Sequence, residues 1–313
     1  MPDRLGKSGK VFNFATVNDT AMKHMIVGFG EVLWDLLPEG KKMGGAPANF
    51  ACHVAQFGLA SCVVSAVGDD RLGEELLASL DARGLNRLIE RVPYPTGTVQ
   101  VELDAAGVPQ YTINEAVAWD HIPWTPQLEA LARQTKAVCF GSLVQRSAVS
   151  RATLGRFLDT MPQCDDSLVV FDVNLRQHFY DAAILDASMR RCNVLKINDE
   201  ELETVSRLFG IPQAGVQERC RWLSERYGLK MLILTCGING SYLFSAEGCS
   251  FRETPRVEVA DTVGAGDSFT AAFIASILKG WSLPEAHRTA VEVSAFVCTQ
   301  NGAMPQLPAE WTK

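Results

Sequence analysis

From residue 25 onward, short runs that are apolar at nearly every position alternate with stretches whose apolar residues recur at helical spacing. The runs cover 25–29, 61–67, 137–141, 168–172, 193–197 and 230–235. Leu168-Val-Val-Phe171 and Met231-Leu-Ile-Leu234 leave no position for a wet face, so they require a sheet buried on both sides. The spacing predicts helices over 46–57, 72–83, 126–135, 149–160, 182–190, 199–209, 215–227, 267–279 and 284–299. Strand and helix in turn predict a doubly wound, mostly parallel α/β sheet with helices on both faces.

One region breaks this rhythm. Residues 97–103 and 108–113 alternate apolar with polar around Asp104-Ala-Ala-Gly107, with no helix between them. This predicts a hairpin with one wet face. Together with 32–43 it would form a small β lid on the main sheet, able to exclude water from a site.

Composition narrows the function classes. The chain has 313 residues, 47% of them hydrophobic and 21% charged, which excludes wholesale disorder. A net charge of −7 argues against a nucleic-acid partner, yet leaves room for an anionic ligand held by backbone N–H groups. No apolar run is long enough to span a bilayer, and Met1–Met25 lacks the core of a secretory signal. Residues 1–24 are polar and aperiodic, and read as a disordered leader or an added extension. The nine cysteines are scattered, never closer than ten residues, without a zinc pair or a C-x-x-C motif; they read as reduced residues of a cytoplasmic protein. The five histidines form no spaced cluster, and His53, on an apolar helix, reads as packed.

Two familiar phosphate-binding patterns fail. Gly6-Lys7-Ser8 has the ending of a P-loop, but the first glycine would fall at Met1 and no strand precedes it. Gly28-Phe29-Gly30 follows a good strand, yet Leu33 stands where a dinucleotide fingerprint needs its third glycine.

Three stretches carry chemistry. In Asp261-Thr-Val-Gly-Ala-Gly-Asp267, Gly264, Ala265 and Gly266 let successive N–H groups converge on an anion at a helix N-terminus, with Asp267 in the first turn. The plainer reading makes Asp267 a helix cap. Against it, a carboxylate beside an anion hole is repulsive unless a proton is moved there, which points to Asp267 as a base. The second stretch is Gly44-Gly45-Ala46-Pro47-Ala48-Asn49, where paired glycines allow a ligand close to the backbone and Asp35 and Asn49 flank the junction as partners for hydroxyls. In the third, Asn198 and Glu201 lie three apart at a helix start; they serve either as an ordinary cap or as a holder of hydrated Mg²⁺.

Together these stretches resemble the ribokinase-like PfkB family of carbohydrate kinases, and most of all its bacterial fructokinases. Asp261–Asp267 is similar to the family's C-terminal signature, D-T-x-G-A-G-D, and Gly44-Gly45…Asn49 with Val67-Gly-Asp-Asp-Arg-Leu-Gly73 to its N-terminal one. The resemblance implies Asp267 as catalytic base and Gly264, Ala265 and Gly266 as anion hole for the γ-phosphate of ATP. It implies Asn198 and Glu201 as organisers of Mg²⁺ and phosphates, Glu201 holding the ion through water, with Thr235 and Gly237 near the nucleotide. Asp261 and carbonyls of 297–303 would hold a monovalent cation, K⁺. Asp35, Gly44, Gly45, Asn49, Asn174 and Arg176 would contact the sugar, and exposed lid edges would allow a homodimer.

The choice of sugar follows from smaller differences. Ala46-Pro47 stands where ribokinases tend to carry Lys-Gly, and Gly30-Glu-Val-Leu-Trp-Asp35 and Asp172-Val-Asn-Leu-Arg176 resemble fructokinases. The resemblance thus implies phosphorylation of the 6-hydroxyl of D-fructose. A 2-keto-3-deoxygluconate kinase or a ribokinase is the alternative; for the keto acid, Arg176 and Arg146 are the candidate partners of the carboxylate. A non-catalytic scaffold would be expected to lose the base or the anion hole, and both are present.

Overall fold

The computed structural model describes residues 24–38, 40–103, 109–212 and 214–312, with the backbone alone at 101–103 and 109–111. The leader up to residue 23 and the hairpin turn expected at 104–107 lie outside the described residues. The elements in chain order are β1 (Met25–Phe29), β2 (Leu33–Leu37), β3 (Gly40–Gly44), α1 (Ala46–Gln56), β4 (Ser61–Gly68), α2 (Arg71–Ala82), β5 (Asn86–Val92), β6 (Thr98–Leu103) and β7 (Pro109–Ile113). Then come α3 (Pro126–Arg133), β8 (Thr135–Phe140), α4 (Ala148–Thr160), β9 (Leu168–Asp172), α5 (Ala182–Arg191), β10 (Val194–Asn198), α6 (Asp199–Phe209) and α7 (Val216–Tyr227). The chain closes with β11 (Met231–Thr235), β12 (Ser241–Ser245), β13 (Gly248–Arg252), α8 (Ala265–Leu278), α9 (Leu283–Cys298) and the short α10 (Ala309–Thr312).

Nine strands form one sheet in the order β13-β12-β11-β10-β9-β8-β1-β4-β5, and β3-β2-β6-β7 form a second, small one. The large sheet is parallel from β11 to β5 and antiparallel only where β12 and β13 join. Successive side chains of a strand go to opposite faces. Val27 and Phe29 therefore pack with α3 to α7, while Ile26 packs with α1, α8 and α9. Gly28 admits this second layer: a Cβ there would sit 2.1 Å from the carbonyl oxygen of Pro47. The glycine pair that imitates a dinucleotide motif is thus a close approach of strand and helix.

The sequence pattern misses β5, β12 and β13. Asn86-Arg-Leu-Ile-Glu-Arg-Val92 is an edge strand, only half buried along most of its length, so it has no apolar run to betray it. β12 and β13 close the opposite edge, and β13 is largely exposed. Among the described residues no helix is long and apolar enough to cross a membrane.

The second part of the N-terminal signature is architectural. Asp70 caps α2 by accepting from Gly73 N–H at 2.8 Å, and also accepts from Thr96 N–H at 2.8 Å and Thr96 Oγ1 at 2.7 Å. It ties β4 and α2 to the chain entering β6.

Candidate active site

In a parallel sheet of this kind the carboxyl ends of the strands open into a crevice. Gly30 follows β1, Gly141 follows β8, Asp172 ends β9, and Asn198 and Thr235 end β10 and β11 in direct register. The small sheet springs from the same edge, because β2 begins three residues beyond Gly30.

The centre of the crevice is the start of α8. Gly264 is the N-cap, in the left-handed region at φ 80, and no side chain caps the helix. A Cβ on Gly264 would sit 2.6 Å from that of Ala303, so both conformation and space require glycine. Asp267 lies in the first turn and does not cap it. Its Oδ2 accepts from Asn49 Nδ2 of α1 at 2.7 Å, across the crevice. This overturns the plainer reading of Asp267 as a cap. Burial, and after it the charge of Asp172, pushes the Asp267 carboxyl up to about 6, against the bond from Asn49 and the charges of Lys196 and Arg176.

Lys196 was invisible to motif reading. It sits inside the apolar β10, its side chain 8% exposed, with Nζ 3.1 Å from Asp172 Oδ1. A Cβ on Gly266 would lie 3.0 Å from the same Nζ, so the ammonium lies directly beneath the glycine loop. Burial works against its charge, but Asp172 and then Glu201 hold its pKa above the ordinary value. Thr270 Oγ1, one turn into α8, donates to Asp172 Oδ2 at 3.3 Å. A buried cation, kept charged by two acids, thus stands under the glycine loop.

Asn198 and Glu201 form a reciprocal capping box: Asn198 Oδ1 accepts from Glu201 N–H at 2.8 Å and Glu201 Oε2 from Asn198 N–H at 2.9 Å. Glu201 Oε1 accepts from Leu175 N–H at 3.0 Å. Each oxygen keeps a lone pair for water, so the arrangement fits a metal held through its hydration shell.

On the acceptor side the paired glycines have separate reasons. A Cβ on Gly44 would fall 2.6 Å from Asp35 Oδ2, and one on Gly45 (φ 116) 2.3 Å from the Glu31 carbonyl oxygen. Burial pushes Asp35 up to about 6 against the charges of Arg176 and Lys42. Glu31, missed as a site residue, is 3% exposed and pushed up to about 7 by burial. Its Oε2 and Asn49 Oδ1 are buried without a hydrogen-bond partner. Such atoms call for donors, and hydroxyl groups supply them. Asn174 stands at φ 42, a conformation that asparagine tolerates better than most other non-glycine residues, and Arg176 is exposed at the crevice mouth.

Arg146 is largely engaged within the protein, although its Nη1 is buried without a hydrogen-bond partner. It forks onto Asp120 at 2.8 and 2.9 Å, donates to Asn114 O at 2.6 Å and lies between the rings of Trp119 and Phe179. His53 is packed as expected, its Nε2 2.9 Å from Ala303 O.

Asp261 joins two loops: Oδ1 accepts from Val263 N–H at 3.0 Å and Oδ2 from Gly302 N–H at 3.2 Å. Thr235 is half-buried, and Gly237 begins a short turn whose carbonyl accepts from Thr254 Oγ1 at 2.6 Å. Next to it Ile238 is 88% exposed, and Val257, Val259 and Val263 are exposed on the loop leading to α8. Exposed aliphatics at a polar crevice are a surface for a flat apolar ring.

Glu31 yields a stability prediction. Its folded pKa is raised, so folding takes up a proton; stability contributed at low pH is lost as pH rises from about 4.5 to about 7. Glu31→Gln should therefore raise Tm at pH 8 by a few degrees more than at pH 5, since ~1 kcal/mol moves Tm by ~2–4 °C in a chain of this order. Equal shifts at both pH values would show that Glu31 is ionised throughout.

Comparison with known proteins gives the family. The profile of the pfkB family carbohydrate kinases matches residues 31–310. The chain is 28% identical to the ATP-dependent 6-phosphofructokinase of Thermoanaerobacterium thermosaccharolyticum, over 95% of each protein. It is 29% identical to the fructokinase of Salmonella typhimurium, over 89% of this chain and 94% of that one. Among solved structures, an uncharacterized sugar kinase from Pyrococcus horikoshii in complex with ATP superposes with a TM-score of 0.74 at 28% identity, covering 90% of this chain and 94% of the other. With the match spanning nearly the whole chain, this protein belongs to the pfkB family of carbohydrate kinases.

Proposed function

We propose that the protein transfers the γ-phosphoryl group of ATP to the 6-hydroxyl of D-fructose, giving fructose 6-phosphate and ADP. The observation that carries this reading is the Asp267 carboxylate, lifted toward neutrality and fixed by Asn49, next to a glycine loop underlain by Lys196.

The reaction needs positioning and charge compensation more than covalent help from the protein. The hydroxyl oxygen attacks the γ-phosphorus in line; the new O–P bond forms as the bond to the β,γ-bridging oxygen breaks, and ADP leaves. Asp267 takes the hydroxyl proton. The N–H groups of Gly264, Ala265 and Gly266, with Lys196 behind them, stabilise charge on the equatorial oxygens. Thr235 and Gly237 would border the nucleotide phosphates, with the adenine against Ile238 and Val257. Glu201 would hold Mg²⁺ through water, and that ion supplies further charge neutralisation. Asp261 and the 297–303 loop would hold K⁺. Asp35, Gly44, Gly45, Asn49 and Asn174 would seat the sugar, and the small sheet would close over it as a lid that keeps out water. Its outer strands, β3 and β7, unpaired on one side among the described residues, suit a lid-to-lid dimer.

A second reading has one observation in its favour. Arg176 stands exposed where its charge reaches Asp35, Glu31 and Asp267, and it would equally receive the anionic group of a keto acid or a sugar phosphate. ADP release with Mg·ATP decides between them, over fructose, ribose, 2-keto-3-deoxygluconate, fructose 6-phosphate and no acceptor, with and without K⁺. Fructose should exceed the others in kcat/KM by at least ~10-fold. Preference for either anionic acceptor would reassign the pocket around Arg176 and leave the role of Asp267 intact.

A further inference from the structure

Beyond its charge near Asp35, Lys42 has had no part so far, yet it stands where the two halves of the crevice meet. On β3 it is directly opposite Asp35 of β2, so both side chains leave the same face of the small sheet. The other face is occupied differently: Trp34 Nε1 donates to Leu72 O of α2 at 2.9 Å, and Lys41 pairs with Glu75 of α2. Lys42 reaches the opposite way. Its Nζ lies 3.8 Å from Asp261 Oδ2, the lysine 47% and the aspartate 20% exposed. Asp261 is fastened to the main body through Val263 and Gly302, and two residues separate it from Gly264, the first of the glycine loop.

We propose that Lys42 is a positioning residue that draws the small sheet down over the acceptor, by pairing with Asp261 on the main body from its place opposite Asp35 on the sheet. The inference rests on the kinase reading above. An ion pair this exposed contributes little in water, so the latch is weak and reversible in the free protein. When an acceptor displaces water from the crevice, the same charges meet in a medium of lower dielectric and the attraction grows. Closure is thereby linked to occupancy. The ammonium also favours the ionised form of Asp35, the form that accepts bonds from sugar hydroxyls; Arg176 from the segment after β9 acts in the same sense and Asp261 against it.

The test compares Lys42→Met and Lys42→Arg in the full chain. Lys42→Met should raise the acceptor KM ~10-fold with kcat and the ATP KM within ~3-fold, and the increase should steepen below about pH 7 as Asp35 takes up a proton. Lys42→Arg, which keeps the charge, should restore KM to within ~3-fold of the wild type. Hydrogen exchange of 33–37 and 40–44, measured without any ligand, should be ~2–5-fold faster in Lys42→Met. This last readout holds whichever sugar is the acceptor, so failure of the fructose reading does not obscure it. Unchanged acceptor KM together with unchanged exchange overturns the proposal. So does a loss confined to kcat, which would put Lys42 on the transferring phosphoryl group.

Discussion

Asp267→Asn is expected to lower kcat by ~10³–10⁴-fold, the range lost when a positioned base is removed from phosphoryl acceptance. The substitution keeps the shape and the contact with Asn49, and changes only the ability to accept a proton. ATP affinity, measured by equilibrium binding, should stay within ~3-fold, because the proposed arrangement puts the nucleotide against the loop and not against the base. The wild type supplies an internal check. With the carboxyl near 6, Asp267 is protonated at lower pH and cannot act, so kcat should fall on the acid side of about pH 6 and level above it. The residual activity of the variant should lack this limb. Near-normal turnover of Asp267→Asn, or an acid limb that survives the substitution, would remove Asp267 from the base role.

Lys196→Met should cause two separable losses. Stability to chemical denaturation should fall by ~3–5 kcal/mol, because Asp172 is left buried without its partner. Turnover should fall ~10²–10³-fold, as when one preorganised charge is taken from an anion hole. The double variant Asp172→Asn, Lys196→Met separates the two. With both charges gone, most of the lost stability should return, since the uncompensated carboxylate is no longer there. Turnover should not return. Recovery of both would make Lys196 an architectural residue only, and the anion hole would then rest on the backbone N–H groups of Gly264 to Gly266.

Much of this protein is legible in one dimension. Strands buried on both faces are apolar at nearly every position, so β1, β4, β8, β9, β10 and β11 can be read directly. The glycine loop before Asp267 and the pair Gly44-Gly45 are legible because backbone geometry and close approach force a rare residue at a fixed place. Edge strands escape, since half their surface is wet and their composition follows the solvent; β5 and β13 show this.

Lys196, Glu31 and Lys42 also escape, for a different reason. Nothing near them in sequence marks a lysine in β10 as lying under Gly266 of α8, or one in β3 as reaching Asp261. Nor does local sequence show that Arg146 is forked onto Asp120 through Nε and Nη2, leaving only Nη1 without a partner. The sequence alone determined the layered sheet, the helix starts and the glycine cradles, because these depend on periodicity and backbone sterics within a few residues. Which charges are buried, which are paired and which remain free for a ligand was decided only by the tertiary structure, because Coulomb energy and desolvation depend on distance and burial between segments far apart in the chain.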